Sequence, residues 1–277
     1  MMPLLGPIMR IIQQQRPNSC INLMFPRRNM MNQKGFTLVE VAIVVVIIGL
    51  LIGGVMKGRT LLESAKMKSF IANCKNIDTA VTQFNSKYLG MPGDLASPAT
   101  KLPNCTTAPC NLAGNMDRLI RGAGGAAAIN VNTSPLAADQ ERMAAWAQLY
   151  AAGLITSVNG SATMEIGTGL PENGYSNGLM VGYVNAVNVS YDITAQNVLM
   201  TLESVDATTG VFTTEVMIPS VAARIDSMAD DGLPNRGTIQ ANSSAFAAAT
   251  NCRASDTTYR ENSEIARCGL YYLLSVR

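Results

Sequence analysis

The sequence lacks histidine altogether and is poor in charge, since only 14% of its 277 residues are Asp, Glu, Lys or Arg. Without histidine, the chain has no general base of the usual neutral-pH type, no imidazole metal ligand and no central member of a Ser-His-Asp triad. The Gly-x-Ser-x-Gly string at residues 174–178 is therefore interpreted as a turn, because no histidine can take the serine proton. We predict that the chain is not an enzyme.

The few charged residues are unevenly distributed along the chain. The first 35 residues contain no acidic side chain and five basic ones, which are Arg10, Arg16, Arg27, Arg28 and Lys34. The other 16 basic residues are outnumbered by all 19 acidic residues, so residues 36–277 carry a formal charge of −3. A nucleic-acid-binding protein normally concentrates its basic surplus on the folded domain. Nucleic-acid binding is therefore not expected.

A run of 21 mostly apolar residues, FTLVEVAIVVVIIGLLIGGVM, occupies positions 36–56. As an α-helix rising about 1.5 Å per residue, it is roughly 30 Å long and can cross a bilayer core. The basic residues before it predict a cytoplasmic N-terminus and an exported C-terminal part, although Lys57 and Arg59 weaken this asymmetry. A secretory signal would be shorter and followed by a small-x-small cleavage site, whereas a simple membrane anchor stays open as an alternative.

One carboxylate interrupts the apolar run. Glu40 lies near its start, and an unpaired intramembrane carboxylate costs several kcal/mol. Either Glu40 reaches the headgroup region, or it has a cationic partner. Cleavage between Gly35 and Phe36 would create such a partner, because the new α-amino group of Phe36 could pair with Glu40 of a neighbouring subunit in a bundle of helices.

The segment KGFTLVE, residues 34–40, followed by the long apolar run resembles the class III signal of type IV prepilins and type II secretion pseudopilins. The resemblance covers about the first fifth of the mature chain. It implies cleavage after Gly35 by a membrane-embedded prepilin peptidase and methylation of the new amine on Phe36. The leader of 35 residues is long for this family, so Met30 or Met31 is an alternative start. Many relatives have proline where Lys57 stands, which leaves the helix geometry open.

The rest of the sequence predicts an α+β fold of the pilin-like type, with a long N-terminal helix on an antiparallel sheet. An apolar stripe from Met67 to Tyr88 extends the helix beyond the membrane, and Pro92 follows its end. Further helices are expected at 137–155 and 219–228, and strands at 179–189, 198–204, 211–214 and 270–276. The predicted domains are a leader (1–35), a membrane and filament-core helix (36–58), an amphipathic helix (59–88) and a globular head (89–277).

Five of the six cysteines lie in the exported part, where disulfides can form. Cys20 belongs to the predicted leader. The resemblance favours a Cys252–Cys268 bridge, which is a common C-terminal staple in pilins, together with a small Cys105–Cys110 loop. Cys74 would then be a core thiol, but other pairings remain open.

Asp226, Asp230 and Asp231 form an acidic cluster before a glycine. Secretion pseudopilins often bind calcium in a C-terminal loop, so the resemblance makes a calcium site one interpretation. The other is a solvated helix end with a glycine cap. The spacing does not match an EF-hand, and no other cofactor is expected.

These patterns predict a structural subunit of a type IV pilus or a type II secretion pseudopilus. The mature length of 242 residues after a cut at Gly35 points to a minor rather than a major subunit. Expected partners are other subunits, prepilin peptidase and an assembly platform in the bacterial inner membrane, with the head in the periplasm and then in a filament. The alternative is a membrane-anchored filament-tip binding protein that serves adhesion or DNA uptake.

Overall fold

The computed structural model describes residues 35–121, 141–163, 165–175, 177–184, 193, 196–205, 212–213, 216–241, 252–265 and 268–276. The chain forms two units, Met1–Gly53 and Gly54–Arg277. The predicted domain boundaries stay predictions.

The first element is helix α1 (Leu38–Tyr88), which has 51 residues. In its C-terminal half, apolar side chains spaced three or four residues apart share one face and are buried; they are Met67, Phe70, Ile71, Cys74, Ile77, Ala80, Val81 and Phe84. The helix ends where Leu89 takes a φ of 55°, a left-handed conformation typical of helix C-termini. The Leu89 N–H donates to the Asn85 carbonyl oxygen at 2.9 Å.

The remaining helices and strands all lie in the second unit. In chain order they are α2 (Pro98–Lys101), α3 (Glu141–Ala151), β1 (Gly178–Val184), β2 (Gln196–Leu202), β3 (Ser204–Val205), β4 (Phe212–Thr213), α4 (Pro219–Ala229), β5 (Ile239–Ala241), β6 (Arg253–Ser255), β7 (Thr258–Tyr259) and β8 (Leu270–Leu273).

The central sheet has the strand order β1-β2-β8-β5, and every neighbouring pair is antiparallel. Its register aligns Met180 with Met200, and Met200 with Tyr271. The buried face of α1 and the sheet contribute to one hydrophobic core, in which β2 is buried along its whole length. The predicted α+β arrangement of a long helix and an antiparallel sheet is confirmed.

Helix α3 differs from its prediction in length and in one side chain. It spans Glu141–Ala151, and residues 137–140 of the predicted helix lie outside the described residues. Residues 185–192, which include the end of the strand predicted at 179–189, also lie outside them. The sequence pattern predicts Met143, Trp146, Leu149 and Tyr150 on one side of this helix, and the first three are buried. Tyr150 is 45% exposed, so it does not share their buried face. It lies in the last turn of the helix and its ring packs against Gly160 instead of the core.

The chain after α1 is held against α3 by one buried amide. Gln148 is fully buried, and its Oε1 accepts the Gly93 N–H at 2.7 Å. Its Nε2 donates to the Cys110 carbonyl at 3.1 Å. Gly93 has a φ of +88°, and a Cβ there would lie 2.2 Å from the Glu141 carbonyl oxygen. Only glycine satisfies both the conformation and this close approach.

A second junction, at residues 114–121, is organised by two buried carboxylates. Asp94 accepts the Met116 and Arg118 N–H groups at 2.6 and 2.7 Å, and Glu141 accepts the Arg121 N–H at 2.7 Å. Burial raises the pKa of Glu141 to about 7; the Arg121 hydrogen bond opposes this shift, and the charge of Asp94 adds to it.

Because Glu141 is a buried carboxyl group with a raised pKa, we expect the head to lose stability as pH rises. Because the folded-state pKa of Glu141 exceeds its ordinary value of 4.5, the folded chain binds more protons between those values. The free energy of unfolding therefore falls as pH rises from about 4.5 to about 7. Glu141→Gln cannot ionise but keeps an acceptor for Arg121, so it should be more stable than the parent by about 1–3 kcal/mol at pH 8 and nearly equal to it at pH 4.5.

Urea unfolding followed by the fluorescence of Trp146, the chain's single tryptophan, measures this difference. Trp146 is 1% exposed and so reports on the core. The exposed Glu165→Gln is the matched control and should follow the parent at both pH values. A Glu141→Gln variant with the parent's pH dependence would show that the buried carboxyl group does not set it.

Candidate functional site

The bond at which cleavage is predicted lies just before the first helical turn. Residues 35–37 have no regular secondary structure, and α1 begins at Leu38. The Phe36 side chain is 84% exposed, and a Cβ placed on Gly35 would have no atom within 4 Å among the described residues. Within the described part of the chain, nothing packs against the two residues that the predicted cleavage would separate.

Thr37 and Glu40 form a reciprocal capping box at this helix start. The Glu40 N–H donates to the Thr37 Oγ1 at 3.2 Å, and the Thr37 N–H donates to the Glu40 Oε2 at 2.9 Å. The Thr37 hydroxyl also donates to the same carboxylate oxygen at 3.1 Å. Such a box satisfies two N–H groups that the first turn of a helix leaves without intrahelical partners.

The capping box gives Glu40 a role that the sequence analysis missed. The signal was present, because Thr-Leu-Val-Glu at 37–40 is the Ser/Thr-x-x-Glu pattern that precedes an apolar helix. The box fixes the carboxylate beside the backbone of residues 36–37, where the new amine would arise. Within the described residues, only the Oε2 oxygen takes part, so Oε1 is left for a further donor. The pairing of Glu40 with a neighbouring Phe36 amine stays a prediction.

The apolar side chains of α1 between Val41 and Leu62 are exposed. The most apolar 18-residue window of the helix has a mean hydropathy of 2.9 and none of it is buried, so the helix is long and apolar enough to cross a membrane. Exposed apolar surface costs about 25 cal/mol per Å² in water, so lipid or other helices are expected to cover it. The apolar helix indicates membrane anchoring.

Four glycines on this part of α1 have no packing reason among the residues that the structure describes. A Cβ placed on Gly49, Gly53, Gly54 or Gly58 would have no described atom within 4 Å. Glycine costs a helix about 1 kcal/mol relative to alanine. In membrane helices, small residues spaced four apart allow close approach of a second helix. The glycines therefore fit contacts between chains rather than the fold of one chain.

The structure brings the predicted acidic cluster together at the end of α4. One carboxylate oxygen from each of Asp226, Asp230 and Asp231 lies within 4.8 Å of the others. Asp226 is fully buried, and burial raises the pKa of its carboxyl group to about 6.

Hydrogen bonds within the fold already use these carboxylates. Asp226 accepts the Tyr259 hydroxyl at 2.7 Å, Asp230 accepts the Thr238 and Ile239 N–H groups, and Asp231 accepts the Leu233 N–H at 2.9 Å. The cluster thereby shapes the turn between α4 and β5. Calcium binding at the three aspartates stays a prediction.

Four cysteines of the second unit form the two pairs that the resemblance favours. Cys105 is joined to Cys110, and Cys252 is joined to Cys268. Cys74 is a free thiol on the buried face of α1, and burial raises its pKa to about 12. A thiol with this pKa stays protonated at neutral pH and is a poor nucleophile.

Comparison with known proteins identifies the N-terminal segment. A family model described as the prokaryotic N-terminal methylation motif matches residues 30–56. No curated protein and no solved structure matches the chain. Residues 30–56 are thus a class III prepilin signal, which marks processed precursors of the type IV pilin-like and pseudopilin class. The resemblance that KGFTLVE indicates is confirmed.

Proposed function

We propose that this chain is a structural subunit, of the minor kind, in a type IV pilus or a type II secretion pseudopilus. The observation that carries the proposal is the methylation motif at residues 30–56 on a helix start whose apolar surface is entirely exposed. A motif for trimming and methylation followed by an uncovered apolar helix suits a chain that is first held in a membrane and then packed among similar helices of other subunits.

Assembly follows from the geometry of the helix start. Cleavage after Gly35 converts the amide nitrogen of Phe36 into a cationic amine next to the capping box. The Glu40 carboxylate is already oriented toward this end of the helix by Thr37. A neighbouring Phe36 amine then donates to the remaining Glu40 oxygen, which sets the axial position of one helix against the next.

Location and partners follow from the same assembly route. The precursor spans the bacterial inner membrane once, with the head in the periplasm, and reaches the filament through an inner-membrane assembly platform. Its partners are other pilin-like subunits and prepilin peptidase. The chain acts by packing rather than by catalysis.

Substitution of Gly35 tests the processing step. Gly35→Leu places a branched side chain directly before the bond that the peptidase must approach and cleave. We therefore expect the chain to keep its leader and to stay in the membrane as a precursor. Gln33→Leu, two residues earlier, makes a comparable change and should be processed normally. Immunoblots of membranes from cells with prepilin peptidase distinguish the two chain lengths.

The processing proposal fails if Gly35→Leu is shortened as efficiently as the parent. It also fails if the parent has the same length in cells with and without the peptidase.

A further inference from the structure

A cleft of about 470 Å³ runs beside α1 in the second unit. On one side the helix contributes Asn73, Asn76 and Gln83, whose spacing of three and seven residues places them on one helix face. The opposite wall comes from residues 154–157 and 171–172. This volume falls within the range of roughly 300–1,000 Å³ that is usual for small-ligand sites.

Uncharged polar groups line the walls. Within the described part of the chain, the carboxamides of Asn73, Asn76 and Gln83 are not hydrogen-bonded to another residue. Thr156 and Ser157 add two exposed hydroxyls on the facing wall. Carboxamides and hydroxyls both donate and accept hydrogen bonds, so they match ligand groups that do the same.

The floor of the cleft is apolar. It is formed where the cleft meets the hydrophobic core, by Ile77, Ala80, Leu154 and Ile155. A ligand that fits both surfaces carries C–H groups on one face and hydroxyls at its edge. A sugar ring has this distribution of groups.

The single negative charge of the cleft, on Glu172, disfavours acidic ligands. Among the described lining residues, Glu172 is the only charged one and none is Lys or Arg. A carboxylate repels anions but accepts strong hydrogen bonds from hydroxyl groups. Phosphorylated or carboxylated ligands are therefore disfavoured, and neutral hydroxyl-bearing ligands are favoured.

We propose that this cleft binds a neutral saccharide chain. A peptide segment is the other neutral ligand with paired donors and acceptors. Extended peptides commonly bind by adding to a free strand edge. Here the start of β1 is already paired with the lining residues, since Glu172 bridges Gly178 and the Leu179 N–H donates to the Pro171 carbonyl at 2.8 Å. None of the described lining residues belongs to the helix start at residues 35–40, so saccharide binding does not depend on the proposed filament function.

Saturation-transfer NMR on the full chain in lipid nanodiscs tests the proposal without sugar-based detergents. The probes are maltotriose and triacetylchitotriose, which are neutral, and trigalacturonic acid, which has as many rings but is acidic. Each is added to about 10 mM, which saturates even a site with a Kd of about 1 mM. We expect transfer to at least one neutral trisaccharide and none to the acidic one.

Paired variants locate the site. Asn76→Leu/Gln83→Leu removes two exposed carboxamides and should weaken binding at least about tenfold. Thr82→Leu adds the same side chain at an exposed position of α1 outside the cleft, and should bind like the parent. Circular dichroism checks that all three chains are equally folded.

Three results would overturn the proposal. They are absence of transfer to both neutral trisaccharides, equal transfer to the acidic one, and unchanged binding by the double variant.

Discussion

Glu40→Ala should reduce incorporation of the chain into filaments by tenfold or more while leaving the precursor in the membrane. In a packed bundle of helices, losing the carboxylate leaves a Phe36 amine in apolar surroundings without its partner. Removing one member of a buried charge pair typically costs 3–5 kcal/mol. Quantitative immunoblots of sheared filaments against the membrane fraction measure the change.

Glu40→Gln separates the two roles that the structure gives this residue. Glutamine can replace glutamate in a capping box but carries no charge. If charge pairing drives assembly, Glu40→Gln fails as Glu40→Ala does. Thr37→Val removes the hydroxyl half of the box and should cost only about 1 kcal/mol of helix-start stability, so it should assemble far better. Normal assembly of Glu40→Gln would show that capping, not charge, is what filaments require.

Loss of the Cys252–Cys268 disulfide should destabilise the head by about 3 kcal/mol. The two cysteines are 16 residues apart in sequence, and cross-linking a loop of that length removes about this much free energy from the unfolded state. Both are buried, and Cys268 also exchanges backbone hydrogen bonds with Met217 just before α4. The double serine variant is compared with the parent by urea unfolding monitored through Trp146.

The shorter Cys105–Cys110 bridge is the matched control. Its cysteines are only 5 residues apart, so its double serine variant should lose about 2 kcal/mol by the same relation. An equal or larger loss at Cys105–Cys110 would contradict the view that the C-terminal bridge is the stronger constraint on the head.

Elements with a long or strong local pattern were predictable from the sequence. The three-and-four spacing from Met67 to Phe84 specified the buried face of α1, and the observed Pro219–Ala229 helix is close to the predicted one. The short strands β5, β6 and β7 were missed, because two or three residues with polar side chains such as Arg253 and Thr258 give no alternating pattern. The strand order was also out of reach, since non-local pairing decides it.

The candidate site shows the same division between local and non-local signals. Gly35, Phe36 and Glu40 could be singled out because they lie within six residues of one motif. The capping box was equally local and readable in Thr-Leu-Val-Glu. The cleft beside α1 was not, because it combines helix positions such as Asn76 with Glu172, about a hundred residues away. Only folding brings those residues together.

The proposed function requires that this chain enters the prepilin pathway through the motif at residues 30–56. Mass spectrometry of the mature N-terminus, from membranes of cells with and without prepilin peptidase, tests it most directly. The expected result is an N-terminal N-methylated Phe36 that appears only when the peptidase is present. An intact leader in both strains, or a cut beyond Met56, would contradict the claim and favour a simple membrane anchor or a secreted protein.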